Sequence, residues 1–231
     1  MKASRLVDPG EAVQIARDGP RFVSRGGFKL EAALDRFDID VSGVRVVDVG
    51  SSTGGFTDCL LQHGAERVVA IDVGRNQLHE KLRADPRVQV LEKTDVRAVE
   101  VAEIGGPAPL VVADLSFISV RLVARELLAL TAVPGDLIVL VKPQFEAGKV
   151  EADKGRGVIR DPIVWQRTIR AAAGALEDAG AAIMEVMVSP IRGGEGNVEF
   201  LVHARVADPP PEPTSSVDEL SAMVVDDVEE R

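Results

Sequence analysis

A strand, a glycine-rich turn and a helix follow one another from Arg45 to Thr57 (RVVDVGSSTGGFT), and few folds place these three in succession. Val46, Val47 and Val49 around Asp48 form the β-branched run of a strand buried on both faces, as in a parallel sheet. Gly50, Gly54 and Gly55, with Ser51, Ser52 and Thr53 between them, then permit backbone geometry and close approach that side chains would block. An apolar helical pattern begins at Gly55. The stretch predicts a ligand cradle at the carboxyl end of a parallel strand.

The flanking sequence repeats the same β-then-α order. A short helix is expected over 11–17, and Leu30, Ala33, Leu34 and Phe37 predict another over 28–37. Past the cradle helix (55–63), strands are predicted at 67–72, 88–91, 110–113 and 137–141, with helices near 77–83 and 118–130. This alternation predicts a doubly wound α/β fold, because right-handed crossovers place helices on both faces of a parallel sheet. From Pro143 to Asp161 the periodicity is lost, while Gly148, Gly155 and Gly157 are interspersed with Lys149, Lys154, Arg156 and Arg160. A segment of this kind predicts a mobile lid or a substrate-facing loop. Asp161 and Pro162 are a cap and first turn for a helix reaching about 179. Strands at 183–188 and 198–206 are joined by a link too short for a crossover, which implies an antiparallel final pair.

Charge divides the 231 residues into three parts, 1–22, 23–206 and 207–231. The net charge is −10, but 207–231 carries eight acids and one base together with Pro209, Pro210, Pro211 and Pro213, the composition of a disordered acidic tail. Residues 1–30 hold six bases against three acids, so 1–22 is expected to be a basic linker where an anionic polymer meets the domain. No apolar run is long enough to span a bilayer and the first residues lack a signal-peptide centre, which predicts a cytoplasmic protein with no membrane partner. Cys59 is the single cysteine, and His63, His79 and His203 lack zinc-ligand spacing, so no metal is expected. Cys59 and Trp165 are expected in the core.

In an open parallel sheet the ligand lies beyond the carboxyl ends of the strands, where the strand order reverses. Asp72, ending the second strand, is placed to accept hydrogen bonds from ribose hydroxyls, and Asp95, after the third, to hold an adenine edge. Both a nicotinamide cofactor and S-adenosylmethionine fit such a site. The run GSSTGG departs from the G-x-G-x-x-G spacing that seats a pyrophosphate. Asp48, expected at the mouth of the cradle, would attract a cationic sulfonium and repel a pyrophosphate, which favours S-adenosylmethionine.

Six motifs carry a family resemblance: VSRGGFKLEAAL from Val23, DVGSSTGGFTDCLL from Asp48, DVGRNQL from Asp72, VVADLSFIS from Val111, LVKPQFEAGK from Leu140 and GNVEF from Gly196. Together, over 23–204, they resemble the TlyA group of the FtsJ-like ribosomal RNA ribose 2′-O-methyltransferases. The resemblance implies a class I S-adenosylmethionine-dependent methyltransferase fold, Rossmann-like, with a seven-stranded sheet and an antiparallel last strand. It implies S-adenosylmethionine as donor, and ribosomal RNA or ribosomal subunits as partners. The Lys-Asp-Lys-Glu tetrad of FtsJ-like enzymes falls on Lys29, Asp114, Lys142 and Glu199. The donor site it implies comprises Asp48, Gly50, Ser52, Thr53, Gly54, Gly55, Phe56, Thr57, Asp72, Val73, Asp95 and Val96. Two features depart from the pattern. The small RNA-binding domain that precedes the methyltransferase in TlyA proteins is not expected in the 22 residues before Val23, and Phe28 stands where leucine or histidine is expected.

Methyl transfer from a sulfonium to a hydroxyl requires orientation and removal of a weakly acidic proton. Lys142 is the expected proton acceptor, or else the group that orients the hydroxyl and stabilises developing negative charge. Phe117 and Phe145 are expected stacking faces for bases. Two other functions compete with methyl transfer: a noncatalytic RNA-binding or ribosome-assembly module that retains the pocket, and a membrane-active, hemolysin-like protein.

Overall fold

A computed structural model describes residues 19–213 and 215–229. The helix expected over 11–17 and most of the basic segment 1–22 lie outside these residues. Seven strands, β1 (Arg45–Val49), β2 (Arg67–Asp72), β3 (Val88–Glu92), β4 (Ala108–Ala113), β5 (Thr131–Val141), β6 (Ala182–Val188) and β7 (Phe200–Val206), form one sheet in the order β3-β2-β1-β4-β5-β7-β6. Strands β1 to β5 pair in parallel, whereas β7 lies antiparallel between β5 and β6. The order reverses direction at β1, where its neighbours β2 and β4 run out to opposite edges. A crevice opens there, beyond the carboxyl end of β1.

Side-chain alternation along β1 sorts residues to the two faces. Val46 packs with Leu30 and Leu34 of α1 (Gly26–Arg36), Cys59 and Leu60 of α2 (Gly55–Gln62), and Leu82 of α3 (Glu80–Arg83). Val47 and Val49 face the opposite side, in the cluster that also holds Leu127 of α4 (Ala124–Leu130) and Trp165, Ile169 and Leu176 of α7 (Pro162–Asp178). Asp161 caps α7 by accepting the Ile163 N–H at 2.9 Å. This accounts for the abrupt helix start after an irregular segment.

Three expectations differ from the structure. The segment 143–161 is not wholly irregular: α5 (Pro143–Glu146) and α6 (Lys149–Lys154) form within it. Helix α6 buries none of its residues, so no apolar stripe marked it in the sequence. The single helix expected over 118–130 is a 3-10 turn (Val120–Leu122) followed by α4. The acidic stretch 207–231 is not disordered throughout: Val217–Glu229 forms α8, packed on α7 and β6. A capping box starts it, with Glu219 N–H donating to Ser216 Oγ and Ser216 N–H to Glu219 Oε2. Val224 and Val225 are buried against the sheet, while Arg170 of α7 pairs with Asp218 at 2.8 Å. Burial of those valines, three and four residues beyond the buried Ser221, outweighs the high acid content, since Asp218, Glu219, Asp226 and Asp227 sit on the solvent side.

Candidate active site

The cradle is set by two close approaches. Gly50 (φ +82°) passes so near β4 that a Cβ there would lie 2.4 Å from the Asp114 carbonyl oxygen. Gly54 (φ +99°) precedes α2, and its Cβ would meet Leu82 at 2.2 Å. Side chains at these points would push the turn off β4 and α3. The turn is held from the other side by Asp72, whose carboxylate accepts the Ser52 N–H at 2.7 Å and the Gly74 N–H at 2.6 Å. A carboxylate has about four acceptor positions, so Asp72 retains capacity for two ribose hydroxyls.

Two cavities flank the turn and share Gly50, Ser52, Asp114 and Ser116. The larger, about 480 Å³, is lined by Asp72, Val73, Asp95, Val96, Leu115 and Phe117 among others. The smaller, about 260 Å³, is lined by Thr53, Gly55, Phe56, Ser24, Arg25, Lys29 and Lys142. Nine of the twelve expected donor residues therefore line one cavity or the other. Asp95 has an Arg97 partner at 2.6 Å, and that side-chain hydrogen bond, before the backbone one from Arg97, holds its carboxyl down to about 2.

Asp48, Gly54 and Thr57 line neither cavity. The expectation that Asp48 stands at the mouth is corrected by the parity of β1. The Asp48 side chain points with Val46 under the first turn of α2, fully buried, and Oδ2 accepts the Thr57 hydroxyl at 2.6 Å. Its Oδ1 has no hydrogen-bond partner among the described residues. Burial pushes the Asp48 carboxyl up to about 7; the Thr57 hydrogen bond opposes the shift, and the negative charges of Asp114 and Asp72 add to it. Thr57 is thus a support for Asp48, and Gly54 a packing position.

The tetrad positions come from four separate elements. Lys29 lies on α1, Asp114 and Lys142 directly follow β4 and β5, and Glu199 precedes β7. Lys29 Nζ pairs with Glu199, both nearly buried. Lys142 Nζ lies 2.5 Å from Asp114 Oδ1, off hydrogen-bond alignment, and donates instead to Ser116 Oγ at 3.0 Å. Two paired cations and two paired carboxylates therefore line or abut one cavity, and Arg25 lines it as well. Phe117 is 91% exposed with φ +65°, an unusual backbone state for a large side chain, and its ring sits 5.0 Å from that of Phe145.

Sequence reasoning missed Ser116, Ser24 and Arg25 as lining residues. Ser116 lies two residues past Asp114 and Arg25 four before Lys29, so the motifs contained the signal; what was lacking was the turn geometry that aims them inward.

The FtsJ-like methyltransferase family model matches residues 22–206. A 16S/23S rRNA (cytidine-2′-O)-methyltransferase TlyA from Mycobacterium tuberculosis is 45% identical over 206 residues, spanning 89% of this chain and 76% of that protein. A hemolysin-named protein from Lactococcus lactis superposes with TM-score 0.81 at 42% identity, covering 88% of this chain and 98% of that one. An S-adenosylmethionine-dependent methyltransferase from Mesorhizobium loti, 20% identical with TM-score 0.53 over 75% of this chain and 96% of its own, shares the fold.

Proposed function

The chain belongs to the FtsJ-like methyltransferase family, and from that premise we propose that it is an S-adenosylmethionine-dependent ribosomal RNA methyltransferase acting on a ribose 2′-hydroxyl. The observation that carries the proposal is the meeting of the Lys142–Asp114 and Lys29–Glu199 pairs with a cavity that shares its wall with the larger one. The larger cavity suits the donor on two grounds: Gly50 leaves room that a Cβ would fill, and Asp72 keeps free acceptor positions toward it. Asp72 would hold the ribose hydroxyls, Gly50 and Ser52 the turn against the donor, and Asp95 and Val96 the adenine side. When bound, S-adenosylmethionine supplies an electrophilic methyl group on a sulfonium. The carboxylates of Asp72 and Asp114, both lining the larger cavity, favour a cation there over a pyrophosphate.

Lys142 is placed to meet the target hydroxyl. Asp114 and Ser116 fix its ammonium from two directions, so it reaches the substrate with few alternative rotamers. Its role is either to take the hydroxyl proton or to orient the oxygen and stabilise charge developing on it. Lys29 and Glu199 brace the opposite wall. Phe117, tilted over Phe145 at the rim, offers a face on which an unpaired base stacks, and this supports a nucleotide drawn out of its helix as the acceptor.

The test is transfer of labelled methyl groups from S-adenosylmethionine to ribosomal subunits, followed by mapping of the modified nucleotide as a linkage resistant to alkaline hydrolysis. Lys142→Ala is expected to lower the rate by about 100-fold or more. Absence of transfer to any ribosomal RNA at saturating donor would overturn the assignment.

A further inference from the structure

Glu146 is a buried carboxylate that neither cavity exposes. Its Oε1 accepts the Val120 N–H at 2.7 Å and its Oε2 the Ser119 hydroxyl at 2.5 Å. Its own N–H donates to the Lys142 carbonyl at 3.2 Å, one helical turn back. The bonds form a closed circuit. From Lys142 Nζ the path runs to Ser116 Oγ, along the backbone through Phe117 to Ser119, across to the Glu146 carboxylate and back to Lys142 through α5.

We propose that Glu146 is a positioning residue for methyl transfer, fixing the Asp114–Val120 loop against α5 so that Asp114 and Ser116 hold the Lys142 ammonium. The proposal rests on the assignment of Lys142 to the reacting hydroxyl. Without Glu146, the loop that bears Ser116 and Phe117 is tied to α5 by neither of these bonds. Two donors, one of them a backbone N–H, then lose a buried acceptor. Burial raises the Glu146 carboxyl above its usual range, opposed by the Ser119 and Val120 hydrogen bonds, as expected of an acceptor-only group enclosed by protein.

Glutamine separates positioning from charge. In Glu146→Gln the amide oxygen accepts from Val120 and the amide nitrogen donates to Ser119 Oγ, so the circuit persists with one proton reversed. In Glu146→Ala both bonds vanish. Two measurements on the full chain decide the matter. The first is competitive acetylation read by mass spectrometry, with Lys81, whose side chain is 64% exposed, as the internal reference. Lys142 labelling relative to Lys81 is expected to rise several-fold in Glu146→Ala and to stay near wild type in Glu146→Gln. Unchanged Lys142 labelling in a folded Glu146→Ala protein overturns the proposal. The second is turnover: kcat is expected to fall about 100-fold in Glu146→Ala, more than KM for the donor rises through loosening of Leu115 and Phe117 at the larger cavity, with most of the rate restored in Glu146→Gln. Loss in KM alone, or equal loss in both variants, also overturns it. The labelling arm needs no turnover, so a wild-type protein that methylates nothing refutes the enzymatic assignment while labelling still decides the role of Glu146.

Discussion

Converting Lys29 to methionine leaves Glu199 as a carboxylate with 3% side-chain exposure and no remaining ion-pair partner among the described residues. Lys29 itself is only 9% exposed, so water screens little of the pair's mutual attraction. Breaking a buried pair from one side typically costs about 3 to 5 kcal/mol, because an uncompensated charge stays behind. Replacing both partners by apolar side chains of similar volume removes that penalty and is often close to neutral. Lys29→Met and Glu199→Met are therefore each expected to lower the unfolding free energy by about 3 to 5 kcal/mol, with the double variant recovering to within about 1 kcal/mol of wild type. Activity is expected to be lost in all three. Urea unfolding read by Trp165 fluorescence provides the assay, since it is the single tryptophan and is buried, with its indole N–H on the Ile159 carbonyl at 3.1 Å. A double variant no more stable than either single one, or a Lys29→Met protein of wild-type stability, would refute the reasoning.

Three further outcomes follow from other contacts. The folded-state pKa of Asp48 is about 7, above its unfolded value, so its contribution is complete below about pH 4 and is lost as the pH rises through 7. The difference is on the order of 4 kcal/mol, and Asp48→Asn is expected to remove that slope from the wild-type pH–stability curve; parallel curves for the two proteins contradict it. Gly50→Ala forces a Cβ toward the Asp114 carbonyl at positive φ, which is expected to cost about 1 to 3 kcal/mol and to weaken donor binding measured by calorimetry; unaltered affinity would argue against this placement. Val224→Asp puts a charge where α8 meets the sheet and is expected to lower the melting temperature and release α8 to proteolysis, whereas substitution of the exposed Met223 by aspartate does neither.

The sequence made the parallel strands plain because Val68–Ile71 and Leu110–Ala113 are apolar runs, and Val46–Val49 is one broken by Asp48 alone, of the kind that a sheet covered on both faces accommodates. The α7 boundary was equally legible, since Asp161 and Pro162 occupy cap and first-turn positions. Asp48 was misplaced although the period of two along β1 already assigns it to the α2 side with Val46. A strand residue on that face cannot stand at the mouth of the cradle. Helix α8 was hidden for another reason. Its acids and the prolines before it dominate the composition, while the buried face is a few valines and Ser221 spaced along three turns. The tetrad pairs lie across long separations, and only the sheet order reveals that Lys29 meets Glu199 and Lys142 meets Asp114. Glu146 carries no sequence signal of its role, because its partners are a backbone N–H and a serine hydroxyl.

The placement of β7 between β5 and β6 has a consequence for how the site comes into being. Strand β6 is made first, yet it reaches the sheet only through β7, and Glu199 immediately precedes β7. Lys29 and Glu199 are 170 residues apart, so at about 5 to 20 residues per second a ribosome-bound chain carries Lys29 without its counter-ion for roughly 10 to 30 s. Until the last strand slides into its slot, α1 holds a lysine that is better left in water than buried. Completion of the site and closure of the sheet are thereby a single event, and a chain halted before β7 has made six of the fold's seven strands but has no assembled Lys29–Glu199 pair.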